Sequence, residues 1–151
     1  MTMTMTIRTP GKHDRPAWES LYTGYATYYG MPISEATLDT VWGWIQEGSR
    51  LQGRIVVNEK GQAVGIMHFR AMPSPLRGAE VGFLDDLFVA PEHRGSGAVI
   101  SLISALKEEA RQYGWPFVRW ITRDNNYRAR AVYDRTAVQT DWVTYQLSVA
   151  D

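Results

Sequence analysis

Leu84-Asp85-Asp86-Leu87-Phe88-Val89-Ala90-Pro91-Glu92-His93-Arg94-Gly95-Ser96-Gly97-Ala98-Val99 is the stretch on which the reading of this chain turns. From Val81 to Val89 the residues are near-continuously apolar apart from Asp85 and Asp86, as expected of a central strand buried on both faces. Pro91 ends that strand, and a turn with two glycines leads into the best helical pattern of the chain. There Val99, Leu102, Ile103, Leu106 and Ala110 recur at helical spacing, with Lys107, Glu108 and Arg111 opposite and Gly114 closing the run. Glycines let the backbone turn sharply and let a ligand approach without a Cβ in the way. The first N–H groups of a helix lack internal partners and carry partial positive charge, and Arg94 adds a full charge beside them. A pyrophosphate suits such a site. The alternative is a plain connection whose amides are met by water and by Ser96 as N-cap, and glycine spacing alone does not separate the two. A Walker loop is excluded by the missing Gly-Lys-Ser/Thr ending, and a Rossmann turn by the glycine spacing.

Outward from this stretch the elements alternate in type. Toward the N-terminus, Thr4 to Arg8 reads as a strand ended by Pro10-Gly11. Asp14 and Pro16 open a helix to about Tyr28, and Ser34 starts another that carries Leu38, Val41, Trp42 and Ile45 on one face and ends at Gly48. Leu51 to Asn58 and Ala63 to Ala71 are strands about a short turn. Met72-Pro73-Ser74-Pro75-Leu76-Arg77-Gly78 reads as a loop, because two prolines deny ladder donors. Toward the C-terminus, Phe117 to Thr122 is a strand, Asn126 to about Thr136 a helix, and Trp142 to Val149 a last strand. The order β-α-α-β-β-β-α-β-α-β describes one α/β (α+β) domain over residues 1–151, a mixed and mostly antiparallel sheet flanked by helices.

The totals narrow the class of function. The chain has 151 residues, 44% apolar and 21% charged, with sixteen basic residues balancing sixteen acidic ones. That balance argues against a nucleic-acid coat or an anionic-membrane binder. No cysteine is present, which excludes disulfides, thiolate metal sites and a cysteine nucleophile. His13, His68 and His93 show no metal-ligand spacing, so no metal is expected, and His68 and His93 read as solvated or hydrogen-bonded. The first residues, Met1-Thr2-Met3-Thr4-Met5-Thr6, lack the pattern of a signal peptide, and no stretch is long enough to span a bilayer. A soluble cytoplasmic protein is the expectation.

The wording of the central stretch is more specific than its glycines. Asp86-Leu87-Phe88-Val89-x-Pro91-Glu92-x-Arg94-Gly95-x-Gly97 resembles motif A of the GNAT superfamily of N-acetyltransferases, in which a strand, Q/R-x-x-G-x-G/A and a helix follow one another. Glu92 stands where Gln or Arg is usual, and Val99 replaces an optional glycine. Neither change removes a backbone donor. A second motif, Asn126-Tyr127-Arg128-Ala129-Arg130-Ala131-Val132-Tyr133, is similar to N-x-x-A-x-x-x-Y, and the element order matches over nearly the whole chain. Within the superfamily the look is closest to the small-amine and polyamine types and to the fungal type acting on histones, polyamines or D-amino acids.

The resemblance implies an enzyme that moves an acetyl group from acetyl-CoA to a primary amine of a small molecule, directly, in a ternary complex. It implies that the backbone of Leu87, Phe88 and Val89 pairs with the pantetheine arm, aided by a bulge near Asp86–Leu87. The amides of Arg94, Gly95, Ser96, Gly97, Ala98 and Val99 would hold the pyrophosphate, and an N–H near Val89 the developing oxyanion. Tyr133 would protonate the departing thiolate, whose thiol has a pKa of about 8.5. Asp85 would contact the amine and act as base. Successive strand residues face opposite ways, so Asp85 and Asp86 share a face only if a bulge intervenes. Asn126 would bond the cofactor or a strand edge, with helix N-cap as its alternative. Tyr28, Tyr29 and Trp42 are candidates for an acceptor pocket, although aromatic residues on such helices are commonly core. Many relatives are homodimers, and the aromatic helices and last strand could supply a surface. A protein or peptide N-acetyltransferase and a non-catalytic acyl-CoA binder are the competing readings.

Overall fold

The computed structural model describes residues 4–150, which divide into two compact units, one up to Trp120 and one from Ile121 onward. In the first, β1 (Thr6–Arg8) leads through a 3-10 turn to α1 (Arg15–Tyr28) and α2 (Glu35–Glu47). Then come β2 (Gln52–Val57), β3 (Ala63–Ser74), β4 (Ala79–Val89), α3 (Ala98–Tyr113) and β5 (Val118–Arg119). The five strands form one sheet in the order β1-β2-β3-β4-β5, antiparallel except for the parallel β4–β5 pair. This is the α/β architecture expected, with a mixed, mostly antiparallel sheet.

Local chemistry accounts for the helix ends. Ser34 Oγ accepts from the Thr37 N–H, a side-chain cap for α2, and Gly48 closes that helix at φ 78°, a conformation that favours glycine. Asp14 stands at the start of α1 but caps the preceding turn instead, accepting from Gly11 N–H at 2.7 Å and pairing with Arg8. Pro16 sits in the first turn, where its missing donor is not needed.

The sheet separates two hydrophobic clusters. On the α3 side Val56, Val64, Met67, Phe69, Leu84 and Val89 pack against Ala98, Leu102, Leu106, Ala110 and Trp115. On the other side Ile55, Ile66, Phe88 and Ala90 pack against Trp18 and Leu21 of α1 and Leu38, Val41 and Ile45 of α2. Gly24 permits close packing of α1 on β4: a Cβ there would lie 3.3 Å from the Phe88 ring. Arg54 on β2 reaches Glu109 of α3 at 2.7 Å, an ion pair between the sheet and the helix.

Three expectations are corrected. First, β3 runs through Pro73 to Ser74, with Pro73 opposite Glu80, so only the segment from Pro75 turns. Pairing of β2 with β3 stops at Phe69, so this end of β3 has a ladder on one side only and tolerates a residue without a donor. Second, β5 is two residues long rather than six. Third, residues 142–149, read as a last strand, form none among the described residues, and their apolar side chains are largely exposed. The pattern of a strand was present, but a strand exists only beside a partner.

The second unit holds α4 (Tyr127–Thr136), which has no buried residue among those described, followed by residues 137–150, which form neither helix nor strand.

Candidate active site

Most of the predicted site residues lie on β4 and on the turn that follows it. His68 lies opposite Asp86, but Phe69 lies opposite Leu84, so Asp85 is the extra residue of a β-bulge. The bulge was expected one to two residues later, near Asp86–Leu87. Its consequence is the arrangement that simple alternation forbids. Asp85 Oδ2 accepts from Arg70 Nε at 2.9 Å, and Asp86 Oδ2 lies 2.8 Å from His68 Nδ1. Arg70 and His68 are two residues apart on β3 and therefore share a face. Both carboxylates thus project from the α1 side of the sheet.

Asp86 is held by a buried polar row. Trp18 Nε1–H donates to His68 Nε2 at 2.9 Å. Nε2 is therefore the acceptor, and Nδ1 carries the proton donated to Asp86. Tyr22 Oη–H donates to the same carboxylate oxygen at 3.1 Å, and Tyr25 contributes as well. His68 and Trp18 are almost fully buried. Burial opposes ionisation of Asp86, but the hydrogen bond from His68 followed by those of the tyrosine hydroxyls outweigh it, holding the carboxyl below its ordinary value. Asp85 goes the other way: burial pushes it up, and the Arg70 pair offsets this only in part. Adjacent carboxyls with opposed shifts are the arrangement in which one takes a proton and the other remains an anion. Tyr22 and Tyr25 are both raised, by burial first and by the Asp86 charge second, so both remain phenols and donors.

Sequence reasoning named Asp85 and left Asp86 as its rival. It missed the Trp18–His68–Tyr22 support, in which His68 stands 50 residues from Trp18 and 46 from Tyr22. The faint signal was a lone histidine within an apolar strand, paired to no neighbour in sequence.

Beyond Phe83 the outer edge of β4 has no strand paired to it among the described residues. Its pairing with β5 stops at Phe83 opposite Arg119. On the other side Ala90 N–H donates to Val64 O at 2.9 Å while Val89 lies opposite Gly65. Ladder alternation then turns the N–H and C=O groups of Val89 and Leu87 away from β3. Phe88, placed with them in sequence, directs its backbone to β3 and its ring toward Tyr25, 6.1 Å between centroids.

The turn after β4 is built on two glycines with left-handed backbone. Gly95 and Gly97 adopt φ of 82° and 90°, and no atom lies within 4 Å of where a Cβ would stand at either. Gly97, not Ser96, occupies the N-cap position of α3. Ser96 Oγ is buried without a hydrogen-bond partner. The Arg94 and Ser96 amides make long 3.3 Å bonds to Pro91 O and His93 O within the turn. Gly95, Gly97, Ala98 and Val99 are the remaining amides of the expected set. The Arg94 guanidinium lies 5.6 Å from the Tyr28 ring centroid, which ties Tyr28 to this turn, while Tyr29 meets Tyr25 at a tilt and Tyr28 edge to face. An orphaned hydroxyl, open space above two glycines and a fixed cation fit a phosphate-bearing ligand.

In the second unit, Asn126 stands at the N-cap position of α4, but its side chain donates to Thr122 Oγ1 at 3.1 Å instead of capping. Tyr133 is half-buried on α4. Among the described residues, no cluster of three or more His, Cys, Asp or Glu could hold a metal ion, and no helix is long and apolar enough to cross a membrane.

Comparison with known proteins agrees with this geometry. The sequence model of the acetyltransferase (GNAT) family matches residues 18–137. The D-amino-acid N-acetyltransferase HPA3 of Saccharomyces cerevisiae is 31% identical over 136 residues, covering 88% of this chain and 84% of the yeast protein. An aminoglycoside N-acetyltransferase, AAC(6')-Iy, solved in complex with CoA, superposes with a TM-score of 0.82 at 19% identity, covering 99% of this chain and 98% of that one. A ribosomal-protein-alanine N-acetyltransferase from Brucella melitensis superposes with a TM-score of 0.80 at 21% identity, covering 96% and 99%. With the family match spanning most of its length, this chain belongs to the GNAT family of acetyltransferases and is an N-acetyltransferase.

Proposed function

We propose that the enzyme transfers an acetyl group from acetyl-CoA to the primary amine of a small molecule, directly and within a ternary complex. The observation that carries this reading is the bulge at Asp85. It places two carboxylates of opposite protonation tendency on one face of β4, next to the strand edge and turn that suit the cofactor. When bound, acetyl-CoA supplies the thioester carbonyl that the amine attacks and the thiolate that departs.

The chain's own groups divide the remaining work. Backbone groups of Leu87 and Val89, with Phe88 between them, hold the pantetheine arm. The amides of Gly95, Gly97, Ala98 and Val99, with Ser96 Oγ and the Arg94 charge, hold the pyrophosphate, and Asn126 contributes on the cofactor side. Asp86, fixed as an anion by His68 and Tyr22, attracts the incoming ammonium. Asp85, whose carboxyl burial raises, takes the proton that the nitrogen must lose to become a nucleophile. Tyr133, assigned from its place in the second motif, gives a proton to the departing sulfur. The Val89 N–H, turned away from β3, would donate to the developing oxyanion. Tyr28 and Tyr29 continue the aromatic row of α1 and are assigned to the acceptor side.

Free amino acids are the first acceptors to test. The yeast relative is a D-amino-acid N-acetyltransferase, and Arg70, paired with Asp85 but with a side chain 39% exposed, offers a cation for an acceptor carboxylate. The experiment is thiol release measured over D- and L-amino acids, polyamines and peptides, alongside calorimetry with CoA. Turnover of free amines with measurable CoA affinity is expected. Turnover of peptides alone would reassign the acceptor, and absence of CoA affinity would overturn the cofactor site.

A further inference from the structure

We propose that Trp18 is a positioning residue: its indole N–H locks His68 in one neutral tautomer, so that Asp86 keeps an unbalanced negative charge for the acceptor's ammonium. The attraction of ammonium by Asp86 is part of the function proposed above, and the role of Trp18 rests on it. Trp18 Nε1 lies 2.9 Å from His68 Nε2, and His68 Nδ1 lies 2.8 Å from Asp86 Oδ2. An indole nitrogen only donates, so a proton added to Nε2 would set two N–H groups face to face at that separation. His68 and Trp18 are 0% and 1% exposed, which leaves neither ring room to turn away.

The charges around this row do not balance without a ligand. From β3 and β4 come two carboxylates, Asp85 and Asp86, and the Arg70 guanidinium, which Asp85 engages at 2.9 Å. From α1 come the Tyr22 and Tyr25 phenols and Arg15, whose guanidinium lies 5.8 Å from the Trp18 ring centroid and pairs with Asp39 at 2.8 Å. The α2 helix adds the Trp42 ring, 5.1 Å from that of Trp18, and β2 sets Gly53 opposite His68. His68 is the side chain that could become a second cation here. Without the indole donor, an imidazole beside a carboxylate takes a second proton as pH falls, and the two form an internal ion pair. Trp18 forbids that pair, so the cation that answers Asp86 must come from solution. The same bond closes the row as a proton path, because the indole cannot accept what His68 would pass on.

Nitrogen-15 NMR of histidine-labelled protein reads the tautomer directly. In the wild type, His68 is expected as the Nδ1–H form at about pH 8 and still at about pH 5.5, on either side of the ordinary histidine range. In Trp18→Phe, which keeps an aromatic ring, the same signals are expected to move to the imidazolium over that interval. The wild-type tautomer decides the question even where the variant fails to fold. Binding is measured with n-butylammonium, which offers Arg70 no carboxylate and keeps its charge throughout, its pKa lying near the lysine value of about 10.4. Its dissociation constant for Trp18→Phe, relative to wild type, should rise at least about tenfold from the higher pH to the lower. In the double variant Trp18→Phe/His68→Asn, a carboxamide N–H can stand where Nδ1 does and takes no further proton. Its ratio should stay flat, which separates the lost lock from lost packing. An imidazolium or an Nε2–H tautomer in the wild type, a flat ratio for the single variant, or a double variant as pH-sensitive as the single one would each overturn the role of Trp18. A wild-type protein that binds no n-butylammonium at either pH would instead remove Asp86 as the ammonium site, and the role of Trp18 with it.

Discussion

The two faces of the sheet bury comparable side chains but differ in what lies among them. Toward α3, β3 and β4 present Met67, Phe69, Leu84 and Val89 to a helix that answers with leucine and alanine. Toward α1, the same strands present His68, Asp85 and Asp86, and the helix answers with Trp18, Tyr22 and Tyr25. An apolar face tolerates any well-packed residue of suitable volume. A polar row works only when each donor finds its acceptor, since an unmet buried group costs about 1–3 kcal/mol. Both faces carry an apolar cluster, but the polar row lies on the α1 face, and substitutions can separate the two.

The largest effect is expected for Asp85→Asn. Loss of a general base lowers kcat/KM by about 10²–10⁴-fold. Stability should move the opposite way. A carboxyl raised in the folded state disfavours folding at neutral pH, a penalty that fades as pH falls through the folded value. The melting temperature of this variant near pH 7 is thus expected to be unchanged or higher, and a clear fall would make Asp85 structural.

Leu102→Ala on the opposite face is the converse case. Leu102 is fully buried, and its truncation should cost about 2–5 kcal/mol in chemical denaturation. The kcat of the folded fraction should be unaffected, and a tenfold loss would show that the faces are not separable.

His68→Leu should cost less, about 1–3 kcal/mol, by stranding Trp18 Nε1–H and Asp86. It also carries a pH signature. Because Asp86 is depressed in the folded state, it stabilises above the unfolded-state carboxyl value, and that contribution is lost as pH falls through the lower folded value. Without the His68 donor the depression shrinks, so the stability curve below about pH 5 should flatten relative to wild type. An unchanged curve would remove His68 from the support of Asp86.

The smallest effect is expected for Ser96→Ala. Its hydroxyl has no partner to lose, so thermal stability should hold, while CoA affinity by calorimetry falls several-fold, about 1 kcal/mol. A stability loss without an affinity change would assign the hydroxyl to the fold.

How far the sequence disclosed this arrangement depended on distance along the chain. The β4 strand, the glycine turn and α3 were legible because apolar period, proline and glycine act locally. Ser34 and Gly48 marked the ends of α2 for the same reason. The site of the bulge was not legible, because it is set by which residue of β3 stands opposite. Asp85 is extra only once His68 and Leu84 have found their places. The Trp18–His68 bond joins residues 50 apart, and no spacing encodes it. Proline at 73 was read as a break because its edge position was unknown. Trp142 to Val149 was read as a strand because its alternation was real while its neighbour was not given.

The single inserted residue in β4 leaves a mark that a deep mutational scan should register. Before it, the side chains required on the α3 face have even numbers, Gly82 against Trp115 and Leu84 in the apolar cluster. After it they have odd numbers, Leu87 and Val89. Tolerance to polar replacement should slip phase by one position within this strand, and deleting residue 85 would cancel the slip, remove one of the two adjacent carboxylates and leave a regular ladder.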